Sequence, residues 1–481
     1  MNPNYLSLPM VNAFANDNDA FIPEIWAQEG LVILEENMVA ANLVHRDFEN
    51  EIKNFGDVVN TRRPGNFTIS RKVDGTSLTQ QSANATNVQV PLDQWFYTSF
   101  TINDGEASKS FQELVDVYLL PAMQSIARGV DRAVLGRVHA FLGTPAQRVG
   151  GLNTLSETNS KDIILDARQV LNVNKAYPDN RNLILAPSAE TALLKNSIFI
   201  KANERGDGGT ALETAMLGRI LGFGTYMDQN VNSITSGADT DVTLVVTDAL
   251  AAAGVSPVAQ AVSGLTGAVN TGEFLTVIGN DQPTWITAHH ETSGNTDSVT
   301  LNEVNKYATL ASAATIRYKA CAVNQPTSPT GYAAGWSQAI NVDGYTTGCA
   351  PQVGQIIAFG TTVGSTRQRY TVIESVDNGS NANILLDRPL EYALSNDDPA
   401  FPGPYGSFNW AFHREAIALV SRPLALPNER MGVMADVAVH NDIAMRVSMQ
   451  YDIQSGGTVV NLDLLAGVAI LDTRLAVVVL G

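Results

Sequence analysis

Apolar and polar positions change their period several times along this chain, and each change marks a new element. Residues 1–20 are polar and Asn-rich and read as extended. Pro23 then opens a helical stretch, PEIWAQEGLVILEENMVAANLV. Its apolar positions Ile25, Trp26, Val32, Ile33, Val39 and Leu43 follow a helix only loosely, and Gly30 is placed to bend it. Residues 49–107 shift to strand-like spacing, with Val58, Phe67, Ile69, Val88, Val90, Phe96, Thr98 and Phe100 at the apolar positions. Two long strands joined by a Gln/Asn/Ser/Thr-rich excursion make a protruding hairpin. Its first arm carries Arg62, Arg63, Arg71 and Lys72.

Residues 108–143 give the clearest helix. Ser110 and Glu113 form a capping box, and Leu114, Val117, Met123, Ile126, Val130, Val134, Val138 and Phe141 fall on one stripe. Pro121 is expected to kink it. About 34 residues at 1.5 Å each span about 50 Å, longer than a small domain, so the helix reads as a spine. Residues 160–231 then alternate helix, turn and short buried strand, an α+β pattern. From 232 to 410, strand-like runs such as DVTLVVTD, GQIIAFG and RQRYTVIESVDNG are separated by Gly, Asn, Asp and Pro, as in a β-barrel or sandwich. The α+β texture returns with HREAIALVSRPL and runs to LAVVVLG, short enough for one buried strand. A β-domain is therefore inserted into an interrupted α+β domain, which requires the host's two chain ends to lie close together.

Charge refines this picture. Only 16% of the 481 residues are charged, against roughly 25% in average domains, and Asn, Thr, Ser, Ala and Gly take their place. Such a surface is polar yet cheap to desolvate. The net charge is −18, which argues against a general nucleic-acid binder but not against a container that must not stick to its contents. Residues 1–48 hold seven acidic side chains against Arg46 alone, and 228–410 hold 16 against 6. The arm is either a solvated helix face or a dock for a basic partner; the basic hairpin could meet the acidic arm of another copy.

Two cysteines, Cys321 and Cys349, exclude a disulfide-rich scaffold and fit a reducing cytoplasm; sequence leaves their pairing open. The start has no basic, apolar signal-peptide pattern, and no apolar run approaches the roughly 20 residues of a membrane span.

Catalytic signatures are missing. There is no Walker loop and no Gly-x-Ser-x-Gly. Gly222 and Gly224 lead to Met227 where a dinucleotide fingerprint needs a third glycine. His289, His290 and Glu291 form the only histidine cluster; neighbours on a strand face opposite ways, so a surface loop is the expected setting rather than a metal site. No cofactor and no metal are expected, and the chain reads as a non-enzyme.

The order of arm, hairpin, kinked spine helix, interrupted α+β domain and β-insertion resembles the major capsid proteins of tailed bacteriophages, of the Hong Kong 97 fold. It is most similar to the coat proteins of short-tailed Salmonella-type phages, which carry an inserted β-domain. QSIARGVDRAVLGRVHAFLG resembles the end of their spine helix, LGFGTYMDQNV the strand entering the insertion, VGQIIAFG with ILLDRPLEYAL the inserted strands, and HREAIALVSRPL the return. The resemblance covers most of residues 20–481. It implies an N-terminal arm at 1–48, an extended hairpin at 49–107, the spine helix of a peripheral domain at 108–143, a central α+β domain at 144–231, a β-barrel-like insertion at 232–410, and the return of both domains at 411–481.

It further implies self-assembly into hexamers and pentamers of an icosahedral shell around double-stranded DNA. The implied setting is the virion, built in the host bacterial cytoplasm without a membrane. A separate scaffolding protein, a portal protein and a decoration protein are the implied partners. Glu24 matches the acidic position that engages a basic scaffold segment, and Arg62, Arg63, Arg71 and Lys72 would touch a neighbouring subunit. Residues 250–340 exceed what the family's insertion needs and suggest a further β-lobe. The alternatives are an encapsulin-like nanocompartment shell, a receptor- or carbohydrate-binding protein with Trp285, Trp336 and Tyr332 as a sugar platform, and an enzyme.

Overall fold

The computed structural model describes residues 23–46, 58–63, 69, 71–72, 74–75, 77, 86–103, 115–142, 147–152, 155–201, 214–234, 240–246, 259–263, 273–277, 283–292, 295–301, 313–318, 321–325, 331–345, 348–360, 368–427, 433–440, 443–454 and 456–481. Among them stand a helix-covered five-stranded sheet, a seven-stranded mixed sheet, two closed barrels and a separate two-stranded ribbon.

The five-stranded sheet is organised by the 14-residue strand Gly457–Ile470. It pairs with Ile443–Asp452 and Ile417–Arg422 along one side and with Gln94–Asn103 along the other, while Met434–His440 extends the sheet beyond Ile443–Asp452. Alternate residues Val460, Leu462, Leu464, Ala466 and Val468 are buried, as a strand with one covered face requires. The cover is the spine helix: a π-helical turn Val115–Leu119, α-helix Leu120–Leu135 and a final 3₁₀ stretch Gly136–Ala140. The α-helical part is 16 residues, or about 24 Å.

The expected stripe is buried at Met123, Ile126, Val130, Val134, Val138 and Phe141, whereas Val117 is exposed; Leu114, Ser110 and Glu113 lie outside the described residues. Pro121 stands where the spine changes from π- to α-helix. It occupies the first α-helical turn directly after the π-helical turn, so the helix changes its hydrogen-bond pattern where the ring removes an N–H.

The arm helix Pro23–Asn37 lies against the spine helix and the sheet, burying Trp26, Leu31, Ile33 and Leu34 and leaving Val32 exposed. The expected bend at Gly30 is a close crossing instead. A Cβ there would lie 2.9 Å from Met445 Cε and 3.3 Å from Met123 Sδ, so the missing side chain lets the helix approach.

The seven-stranded sheet has the order Arg148–Gly150, Ala476–Leu480, Gly406–His413, Arg181–Leu185, Phe223–Met227 and Arg219–Ile220, with Ser233–Ile234 pairing Gly406–His413. Arg148–Gly150 joins Ala476–Leu480 in parallel, as Arg181–Leu185 joins Phe223–Met227. The C-terminal strand is buried throughout, as its sequence predicts. The helices Ser160–Val173 and Pro187–Lys195 pack on this sheet.

The insertion leaves at Ile234 and returns at Gly406, and these residues face one another in a strand pair. Between them the inserted β-region forms two barrels, where the sequence suggested a further β-lobe at 250–340. Thr240–Val246, Ala259–Ser263, Phe274–Val277, Pro283–Thr292, Asn295–Leu301 and Ala313–Tyr318 close one barrel. Cys321–Val323, Ile340–Asp343, Ile356–Phe359, Gln368–Asp377, Asn381–Leu386 and Pro399–Pro402 close the other. Closing each sheet removes the open edges that would otherwise pair with other chains. The first barrel occupies most of the stretch flagged as excess. His289, His290 and Glu291 stand in its strand Pro283–Thr292, not in a loop.

Candidate functional site

The spine helix is the place where arm, sheet, central domain and insertion meet, and its polar residues hold them. At the arm side, Asp131 is fully buried. Its Oδ2 accepts the Val39 N–H at 2.9 Å and its Oδ1 the Ala41 N–H at 2.8 Å, fixing the turn after the arm helix. Asp228, just beyond strand Phe223–Met227, faces the same site. Its Oδ1 accepts the Asn230 N–H, while its buried Oδ2 has no hydrogen-bond partner. Burial first, then the Asp228 charge, push Asp131 up to about 7; burial also raises Asp228.

At the other end the second barrel is fastened. Asp387 is fully buried between Arg137, at 3.4 Å, and Arg388, at 3.2 Å. Its Oδ1 accepts the Thr371 N–H at 2.8 Å, and the Thr371 hydroxyl donates to the Gly136 carbonyl at 2.7 Å. The Gln94 amide donates to the Asp387 carbonyl. Arg137 also donates to the Val468 carbonyl at 2.8 Å, so helix, sheet and barrel share one guanidinium. His139 takes its place beside Arg388, Nε2 to Nη1 3.0 Å, and burial pushes it down to about 4. Arg369 of this barrel lies 3.8 Å over the Trp285 ring of the first, a cation–π contact between the barrels.

The surfaces open to a partner lie beside these junctions. Among the described residues the strands Val58–Arg63 and Thr86–Pro91 pair only with each other, and Val59 and Val90 root this ribbon on Ala418 and Val420. The second hairpin arm expected from sequence is thus split, because Gln94–Asn103 turns away to join the five-stranded sheet. That strand is an edge, with Trp95 57% and Tyr97 68% exposed. A cleft of about 940 Å³ runs between it, the spine helix and the second barrel, past Trp95, Tyr97, Gly129, Glu374 and Arg388.

Of the residues singled out from sequence, Arg62 and Arg63 lie on the ribbon strand Val58–Arg63, and their side chains lie outside the described residues. Arg71 and Lys72 are exposed. Glu24 falls in the first turn of the arm helix, its side chain likewise undescribed. The sugar-platform trio does not form a platform. Trp285 and Tyr332 are buried, and Trp336 packs on Tyr332 at 5.3 Å between centroids. Cys321 and Cys349 are both free thiols. Among the described residues no three His, Cys, Asp or Glu side chains gather as metal ligands, and no helix is long and apolar enough to cross a membrane. Sequence reasoning missed Asp131, Asp228, Asp387 and Arg388; only the placing of an Asp on the buried side of the spine stripe could have marked Asp131.

No family model and no curated protein matches the sequence. Among solved structures, one titled Mycobacterium phage Che8 is similar at 12% identity and a TM-score of 0.42, over 92% of this chain and 90% of that one. The capsid structure of the Cyanophage P-SCSP1u is similar at 10% identity and TM-score 0.38, over 89% and 84%. The asymmetric unit of the bacteriophage PhiM1 mature capsid gives 10% identity and TM-score 0.39, over 89% and 83%.

Proposed function

We propose that this chain is the major capsid protein of a tailed bacteriophage, a non-enzymatic subunit that assembles into hexamers and pentamers of an icosahedral shell around double-stranded DNA. Its fold is of the Hong Kong 97 type, nearest the Salmonella-type coat proteins, with arm, hairpin, spine, central and inserted regions bounded as given above. The observation that carries the reading is the ribbon Val58–Arg63 with Thr86–Pro91. Two strands alone are marginal in water, and among the described residues this pair has no further strand partner and bears basic residues on a chain of net charge −18. A neighbouring copy offers the missing cover, and Arg62, Arg63, Arg71 and Lys72 are its contacts. The reading agrees with the capsid titles above without resting on them.

The partners follow from the same reading. A scaffolding protein engages Glu24 on the acidic arm, a portal protein occupies one vertex, and a decoration protein binds the outside. Assembly takes place in the host bacterial cytoplasm. The interior acidity keeps packaged phosphates from adhering.

Electron microscopy of the purified chain, expressed with and without the candidate scaffolding protein, tests this. Closed, uniform, thin-walled particles that form better with scaffold are the expected result; a small monodisperse oligomer under both conditions overturns it. Charge reversal by Arg62→Glu with Arg63→Glu abolishes shells while leaving a folded monomer. Normal shells from that variant would remove the ribbon from the contact.

A further inference from the structure

The arm is held to the spine helix by an acid pair for which the shell reading has no use. Asp131 offers both carboxylate oxygens to the Val39 and Ala41 amides, and Asp228 turns to the same stretch from the central sheet. Both are buried, at 0% and 3% exposure, and neither makes an ion pair among the described residues. The arm contributes only backbone amides to Asp131. On the spine helix the nearest cation is Arg132, which feels Asp228 but turns its guanidinium to the Ile373 carbonyl at 3.0 Å and to Glu374 at 4.0 Å. From the central sheet come Asp228 and the neutral Asn230.

Two like charges whose nearest cation, Arg132, is committed to Ile373 and Glu374 cannot both ionise cheaply. A proton on the pair relieves the repulsion, and it can supply the partner that Asp228 Oδ2 lacks.

We infer that Asp131 and Asp228 form a proton-dependent latch that holds the N-terminal arm on the spine helix in acid and loosens it as the pH rises. The sign follows from linkage. Arm docking buries Asp131, which lifts its pKa more than the Val39, Ala40 and Ala41 amides of the arm lower it, so the docked state binds the proton more tightly than the undocked one. Docking is therefore fully favoured below the undocked pKa and weakens as pH climbs through the docked value of about 7. Each pH unit between the two values changes the docking constant by up to about tenfold. Loosening is local. Trp26 stays anchored in the core beside Phe100, while the Val39–His45 stretch loses its hold. His45 itself pairs with Ile417 and Leu419 through backbone bonds that do not titrate.

Hydrogen–deuterium exchange of the full-length monomer between pH 5.5 and 8.5, corrected for intrinsic exchange, tests the latch. Protection at residues 39–45 is expected to fall about tenfold or more across that range, while the strand Gly457–Ile470 keeps its protection. Asp131→Asn flattens the dependence. Asp228→Asn, which leaves both Asp131 bonds intact, moves the midpoint to lower pH and serves if the first variant does not fold. Protection at 39–45 that is flat with pH in the native chain, or unchanged in its pH dependence in Asp228→Asn, overturns the inference. The monomer readout does not depend on shell formation, so failure here is separable from failure of the capsid reading.

Discussion

Asp131 and Asp387 are both fully buried at the spine helix, yet they sit in opposite electrostatic settings. Asp387 lies between two guanidinium groups and accepts a backbone N–H, so two cations outweigh the one neighbouring carboxyl, Asp93. Asp131 has two amides, no cation and a second carboxylate facing it. A buried charge matched by opposite charge is a weld; a buried charge matched only by dipoles, next to its own kind, is a latch. The barrel is welded to the body, and the arm is latched to it.

The weld breaks hardest when one partner is lost. Asp387→Ala strands the buried Arg137 without its counter-charge and leaves Arg388 only Glu391, at 3.0 Å, and about 3–5 kcal/mol of stability is expected to go with it. Denaturant unfolding of the full-length chain reads this. A loss under about 1 kcal/mol would mean that Asp387 is no weld. Asp131→Asn is expected to cost much less at pH 8, because it removes a charge that burial already disfavours.

Two glycines sharpen the contrast. A Cβ on Gly136 would stand 2.9 Å from Asp387 Cβ and 3.3 Å from Thr371 Cβ, atoms fixed close to the backbone. A Cβ on Gly30 meets the flexible ends of Met445 and Met123. Gly136→Ala is expected to cost about 1–3 kcal/mol by overpacking, and Gly30→Ala less than about 1 kcal/mol, since the methionines yield and alanine favours the helix. Equal thermal shifts in the two variants would erase the distinction between a rigid and a soft junction.

The two junctions also answer to pH with opposite sign. His139, pushed down to about 4, stays neutral in the fold, with Nδ1 on the Gly136 carbonyl at 2.9 Å and Nε2 toward Arg388. A depressed pKa gives stability that is present above the unfolded value near 6.5 and is lost as pH falls toward 4. Asp93, raised by burial at the same junction, works the other way. The difference between native chain and His139→Gln isolates the histidine, and unfolding midpoints between pH 4 and 7 should fall less steeply in the variant. Parallel curves would show that the ring does not titrate on unfolding.

How much of this the sequence carries depends on the range of the interaction. The spine stripe from Met123 to Phe141 is local periodicity, so it is legible before any fold is known. So is the buried C-terminal strand, a run of apolar residues. The pairing of Gln94–Asn103 with Gly457–Ile470 joins residues hundreds of positions apart, and nothing near Trp95 distinguishes it from a continuation of the hairpin. The excess length at 250–340 signals a further lobe in the insertion, but which strands close which barrel is set by long-range pairing, not by the turn signals between them. Asp131 and Asp387 read as ordinary polar positions because their burial is created by elements distant in sequence.

The smallest expected effect sits between the two junctions. Arg132 reaches Glu374 of the second barrel at 4.0 Å, and the Glu374 side chain is 66% exposed. At that exposure water screens the pair and side-chain entropy opposes it, so Glu374→Gln should change stability by less than about 0.5 kcal/mol. Arg132 keeps its bond to the Ile373 carbonyl in the variant, so the barrel's hold on the helix does not depend on the carboxylate. The variant also tests the latch from outside. With Glu374 neutral, Arg132 is freer to answer Asp228, which lowers the pair's pKa, and the arm should loosen at slightly lower pH. A large loss of stability from Glu374→Gln would move the weld from the buried Asp387 to the surface, where this electrostatic setting gives it no means to be strong.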